Sequence, residues 1–122
     1  MEILKNKEFA RWAKEEEVSD EALIQAISEM KNGLYDANLG GGVYKKRIPL
    51  CGRGKRGGAR TIVAFKLNNK AIFIYGYAKN ERATISPKEQ EALKFLSKLY
   101  FSYSDEQISK AIKTGELIQV IS

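Results

Sequence analysis

Apolar positions recur along this chain first with a helical period, then with a period of two, then with a helical period again. In the opening part, Phe9, Trp12 and Ala13 fall on one face of a helix expected over Lys7–Glu17, after a short strand or lead-in at residues 2–5. Ser19 is placed to cap a second helix, with Asp20 and Glu21 complementing its positive end. Leu23, Ile27, Met30 and Leu34 make its apolar stripe, and Asn32-Gly33 stops it. These Met and aromatic positions read as core packing.

Gly40-Gly41-Gly42 marks a turn into the alternating part. A strand over Val43–Leu50 puts Tyr44, Ile48 and Leu50 on one face and Lys45 and Arg47 on the other, with Pro49 signalling its end or an edge. A basic, glycine-rich loop GRGKRGG follows, then a second strand, Ala59–Leu67, a turn at Asn68-Asn69 and a third strand, Ala71–Tyr77. The third strand is apolar on both faces and so predicted to be central. Period two places Phe73, Tyr75, Tyr77 and Lys79 on one of its faces. Helical spacing returns at Ser86-Pro87-Lys88-Glu89, a capping box, with Leu93, Leu96 and Tyr100 inward. Ser104-Asp105-Glu106-Gln107 starts a short last helix with Ile108, Ala111 and Ile112 inward, closed by Gly115; Leu117–Ile121 then suits an edge strand. The expected fold is α+β: a small, mainly antiparallel sheet with two N-terminal helices packed on it and additional C-terminal helices. It forms one domain over residues 1–122, divided into a helical part (1–42), a basic sheet (43–85) and C-terminal helices with a tail (86–122).

Charge sharpens this division. Of a net +6, the stretch Val43–Arg82 contributes eleven basic residues against one acidic residue, Glu81, so the remainder of the chain is net negative. A basic segment interleaved with Tyr44, Phe65, Phe73, Tyr75 and Tyr77 is the footprint of a phosphate-backbone partner, most simply RNA. No apolar run approaches the roughly 18 residues of a membrane helix, and residues 1–17 have no apolar signal core, so a cytoplasmic protein without membrane contact is expected. The single Cys51 has no disulfide partner. The absence of histidine removes the usual zinc sites and the commonest general acid/base, so any catalysis is expected to use Lys, Arg, Tyr, Ser/Thr or carboxylates, and no cofactor-binding motif is seen.

Gly52-Arg53-Gly54-Lys55-Arg56-Gly57 matches a dinucleotide fingerprint in spacing only, because the glycines lead into a strand and not into a helix that receives a pyrophosphate. The glycines do let backbone approach a phosphate chain, with Arg53, Lys55 and Arg56 supplying charge; a solvated hairpin loop is the plainer alternative. If the second and third strands pair across Asn68-Asn69, Arg60 falls near Lys79, and Lys45 and Arg47 complete a cluster. Such a cluster grips a phosphate, stabilises charge developing on it and depresses the pKa of a neighbouring lysine. Tyr75 or Tyr77 is placed to stack on a base, or equally to serve as a core tyrosine with a wet tip.

The order of two helices, a basic strand, the run GKRGGARTI, a hydrophobic hairpin and YGYAKNERATIS resembles the RelE/ParE toxin superfamily of type II toxin–antitoxin systems, with a closer likeness to its HigB-like, phage-associated branch. The likeness is strong over Val43–Leu96 and looser over the first two helices. It implies a metal-independent endoribonuclease that enters the ribosomal 30S A site and cuts mRNA through the 2′-hydroxyl, free as a monomer or weak dimer. It also implies a cognate antitoxin, often of helix-turn-helix type. Matching positions imply Arg60, Lys79, Lys45 and Arg47 as catalytic residues. RNA and ribosome contacts are implied at Lys46, Arg53, Lys55, Arg56, Tyr75, Tyr77, Asn80 and Arg82. The chain departs from RelE where Asn80 replaces an arginine and where Ile85-Ser86-Pro87 lacks a tyrosine. The same fold also carries non-catalytic gyrase poisons, and a degenerate prophage protein that only binds RNA or a partner is a further alternative.

Overall fold

Side-chain caps decide where the helices begin. The structure, a computed structural model, describes residues 1–50 and 54–121, the side chains of 54–57 excepted. Strand β1 (Glu2–Asn6) runs directly into α1 (Lys7–Glu15), where Asn6 Oδ1 accepts the Phe9 N–H at 2.8 Å. Ser19 accepts the Ala22 N–H at the start of α2 (Asp20–Lys31). Strands β2 (Ala37–Gly40), β3 (Val43–Leu50), β4 (Gly54–Lys66) and β5 (Lys70–Ala78) follow. Ser86 and Ser104 then form reciprocal capping boxes with Glu89 and Gln107 at α3 (Pro87–Ser102) and α4 (Asp105–Thr114). Gly115 ends α4 at φ 86°, a left-handed position that suits glycine, and β6 (Leu117–Gln119) closes the chain's secondary structure. Among the described residues no helix is long and apolar enough to cross a membrane.

The strands form one sheet in the order β2-β3-β4-β5-β1-β6, antiparallel throughout except for the parallel pair β1–β5. Helices cover both faces. On one, Phe9, Leu23, Ile27 and Met30 of α1 and α2 pack on Ile48, Val63 and Phe73. On the other, Tyr100, Ile108 and Ala111 of α3 and α4 pack on Leu4, Ile62, Ile72 and Ile74. Ala71 to Ile74 are at most 1% exposed, which explains why this strand carries apolar residues on both faces and confirms its central place.

Several expectations need correction. The aromatic residues of β5 do not share a face. Ile62 pairs with Tyr75 but Val63 with Phe73, so Ile74 is an extra residue, a β-bulge. Beyond it the alternation is reversed: Phe73 faces α1 and α2, whereas Tyr75 and Tyr77 face the α3–α4 side. Helix α1 ends two residues early, at Glu15, and α2 ends at Lys31, which leaves Leu34 outside the apolar stripe and 60% exposed. The segment Ala37–Gly40, which shows no alternation, is drawn into the sheet as edge strand β2, paired with β3. Strand β4 starts at Gly54, so the latter part of GRGKRGG is ladder and not loop.

Two contacts hold the bulge in place. The Asn6 side chain donates Nδ2–H to the Ile74 carbonyl at 3.1 Å while its oxygen caps α1, so one buried amide satisfies two backbone groups. Two residues further on, Trp12 lies so close to Gly76 that an added Cβ would overlap the indole ring. Gly76→Ala is therefore expected to destabilise the fold by about 1–3 kcal/mol, the range for overpacking, as a lower midpoint in urea unfolding. Asn6→Ala removes both bonds and should cost roughly 2–4 kcal/mol. Asn6→Asp keeps the cap but turns an acceptor toward the Ile74 carbonyl. It too should lower the midpoint, and wild-type stability of the Asp variant would refute the role given to the Asn6–Ile74 bond.

Candidate functional site

The register of the antiparallel strands arranges the α3–α4 face in transverse rows. Val43, Ala64 and Ile72 form one apolar row; Lys45, Ile62 and Tyr75 form the next; Arg47, Arg60 and Tyr77 form the third. Polarity therefore rises along the strands away from the core beneath the two helices. Asp36, whose N–H is bonded to the Lys45 carbonyl at 2.8 Å, extends the arginine row on the β2 side. The segment between β5 and α3 closes the opposite side with Arg82 and Thr84.

Arg47 and Arg60 are direct cross-strand partners, an arrangement that like charges disfavour. One oxygen, Asp36 Oδ2, lies 3.4 Å from the Nε of each. The two guanidiniums are thus within about twice that distance of each other. At roughly 7 Å and an effective dielectric of ~20 two unit charges repel by about 2 kcal/mol, which is the load the shared carboxylate relieves. Arg60 keeps only 12% of its side chain exposed, and its Nη1 is buried without a hydrogen-bond partner among the described residues. Lys45 Nζ donates to Thr84 Oγ1 at 3.3 Å. Arg82 pairs with both carboxylate oxygens of Glu89, donates to the Tyr75 hydroxyl at 3.2 Å and lies over the Tyr77 ring at 5.7 Å.

Four cations and two carboxylates thus share a small surface, leaving a net positive site. Among the described residues the buried Tyr77 hydroxyl has only Thr84 beside it, without a well-formed hydrogen bond. Burial raises its pKa, and Thr84, Arg60 and Arg82 beside it oppose the rise. The phenol is held in its neutral form, a potential donor to an incoming oxygen and not a base. Paired guanidiniums, an ammonium and a neutral hydroxyl make an anion site suited to a phosphodiester whose negative charge grows during reaction.

The structure brings together Lys45, Arg47 and Arg60, with Tyr77 in the arginine row and Tyr75 beside it. Arg60 pairs with Tyr77, two residues short of Lys79: the turn sets Lys66 opposite Lys70, a register that would bring Gly76 to Arg60, and the bulge advances it by one residue only. Lys79 lies in the exposed turn after β5, with its N–H directed to the Gly58 carbonyl at 3.4 Å, and Asn80 is exposed beside it. Lys46 is a correction: it points to the other face, is 4% exposed, and its Nζ sits 2.7 Å from Glu29 of α2, so it is a packed ion pair and not a surface contact. Tyr77, 3% exposed, is a core tyrosine and cannot stack on a base as it stands. Arg82 is engaged in tethering α3. Arg53 and the side chains of Lys55 and Arg56 lie outside the described residues. Sequence reasoning missed Asp36 and Thr84; each stands in an irregular stretch where no periodicity points to a site.

The family model described as the RelE toxin of the RelE/RelB toxin–antitoxin system matches residues 1–120 of this chain. No curated protein matches it.

The Arg82–Glu89 pair fastens the segment bearing Thr84 to the first turn of α3. Arg82, with help from the Ser86 N–H, pulls the Glu89 carboxyl from its usual 4.5 down to about 2. A depressed carboxyl stabilises the fold fully above its ordinary range and loses that contribution as pH falls through about 4.5 to 2. The Glu89 side-chain carboxyl resonance is expected to titrate near the lower value. Glu89→Gln should flatten the fall in melting temperature across that window, and titration of Glu89 at an ordinary carboxylate pH would refute the tether.

Proposed function

Because the chain belongs to the RelE toxin family, the toxin half of a toxin–antitoxin pair, we propose that it is a ribosome-dependent mRNA endonuclease neutralised by a cognate antitoxin. Members of the family are generally mRNA-cleaving endoribonucleases. The observation that carries the reading is the row of Arg47 and Arg60, opposed across two strands with Lys45 one row behind and neutral Tyr77 at its end.

In this reading the 2′-hydroxyl of the nucleotide before the scissile phosphate attacks phosphorus. The bond to the 5′-oxygen breaks, giving a 2′,3′-cyclic phosphate and a 5′-hydroxyl. Arg47 and Arg60 hold the non-bridging oxygens and offset the charge that builds in the pentavalent state. Lys45 or Lys79 takes the 2′-hydroxyl proton, and the protonated lysine then gives it to the leaving 5′-oxygen. Lys45 stands on β3 one row from the arginine pair. Lys79 belongs to an exposed turn from which its long side chain reaches a bound chain. Asn80 and the cations Arg53, Lys55 and Arg56 serve docking on ribosomal RNA. Binding by such contacts weakens with salt, with a slope of about 0.7 in log K per single-stranded phosphate contact.

The test is primer extension on mRNA from cells after brief induction of the wild-type protein and of Arg60→Ala. Wild type should produce cuts confined to translated regions with codon periodicity. The variant, checked for folding by circular dichroism, should lose cleavage by about 10²–10³-fold, the range for removing one donor from a charge-stabilising site. Growth arrest with intact transcripts would instead mark a non-catalytic inhibitor of the same fold.

A further inference from the structure

The carboxylate between Arg47 and Arg60 raises a question of its own. Two arginines opposed across neighbouring strands need an anion between them. In the free protein Asp36 supplies it with a single oxygen, at 3.4 Å from each Nε. That is longer than the roughly 2.7–2.9 Å of a well-formed charge-assisted hydrogen bond. Among the described residues neither guanidinium has a two-pronged carboxylate partner of the kind that Arg82 has in Glu89. Among the described residues Arg60 Nη1 is left buried with no hydrogen-bond partner. The Asp36 backbone is pinned by its N–H to the Lys45 carbonyl, so the side chain can leave by rotation without the segment opening.

We propose that the Asp36 carboxylate occupies, in the free protein, the place that an RNA phosphodiester takes in the complex, and that the phosphate displaces it. Asp36 is then a built-in competitor. It keeps the arginine pair folded and oriented while no substrate is present, and it lowers affinity for phosphate chains that do not bring further contacts. A phosphodiester carries the same single negative charge but offers two non-bridging oxygens, so it engages both forks at once. The exchange preserves the charge balance of the row and frees one carboxylate to solvent. The inference rests on the nuclease reading for the identity of the phosphate, but its test does not need cleavage.

The probes are inorganic phosphate and a single-stranded 2′-deoxy oligonucleotide, which presents phosphodiesters and cannot react. Asp36→Asn removes the competing charge while keeping the side chain's size. In low-chloride buffer it should melt below wild type, recover on addition of phosphate but not of chloride at equal ionic strength, and bind the oligonucleotide at least ~10-fold more tightly. Arg60→Ala added to Asp36→Asn should abolish the gain. Should the Asn variant fail to fold, the wild-type protein provides the measurement: the Asp36 side-chain carboxyl resonance should shift to that of a solvated carboxylate as phosphate or oligonucleotide is added. Unchanged or weaker binding by Asp36→Asn, or an Asp36 resonance that stays put at saturation, would overturn the proposal. Intact transcripts in induced cells together with tighter phosphate binding by Asp36→Asn would sink the nuclease reading and leave the exchange standing.

Discussion

A single buried amide, Asn6, joins three parts of the fold that have no other reason to agree. Its oxygen starts α1, its nitrogen satisfies the Ile74 carbonyl at the bulge of β5, and its own backbone ends the strand β1 that pairs with β5. A bulge leaves a backbone group unpaired by the ladder, and in a buried strand that group must find a partner. Asn6 supplies one because the parallel pairing of β1 with β5 brings its side chain alongside. Trp12 then closes against Gly76, where any larger residue would push the helix off the sheet. The consequence is felt on the far face: past the bulge Tyr75 and Tyr77 turn toward Arg60 and Arg82, and away from the core that holds Phe73.

The location of the site follows from how far helical cover extends. The sheet is packed on both faces, and the rows nearest the middle of α3 and α4 are apolar because nothing else survives burial there. The arginine row lies beyond that cover. Charge is tolerated in it because each cation has an answer: Asp36 for Arg47 and Arg60, Thr84 for Lys45, Glu89 for Arg82. These answers are unequal in kind. Arg82 is held two-pronged and fixes the segment leading into α3. The arginine pair is held through one oxygen at a longer distance, which suits the exchange of partner proposed for it.

The basic stretch therefore does not act as one surface. Lys46 is paired with Glu29 beneath α2, Arg82 is held by Glu89, and Lys45, Arg47 and Arg60 share the face to which the nuclease reading assigns the phosphate chain. Interleaved aromatics serve packing first: Phe73 and Tyr77 are buried, while Tyr44 stands edge-on between Tyr35 and Phe65. Net charge over a segment marks the partner's chemistry, and the register decides which of its residues meet that partner.

Much of this was legible in the residues themselves. Caps at Ser19, Ser86 and Ser104, the Asn68-Asn69 turn and the doubly apolar run of β5 report local backbone preferences and burial, and local physics reads them correctly. The alternation that places Lys45 and Arg47 opposite Ile48 and Leu50 is equally local. The bulge at Ile74 was not legible, since it depends on Asn6 arriving from a strand 68 residues away in sequence. Strand β2, the inward turn of Lys46 toward Glu29 and the Asp36 bridge were hidden for the same reason. Each is a contact between segments with no shared periodicity, settled by which strands become neighbours and in what register, and a local pattern of side chains carries no record of that.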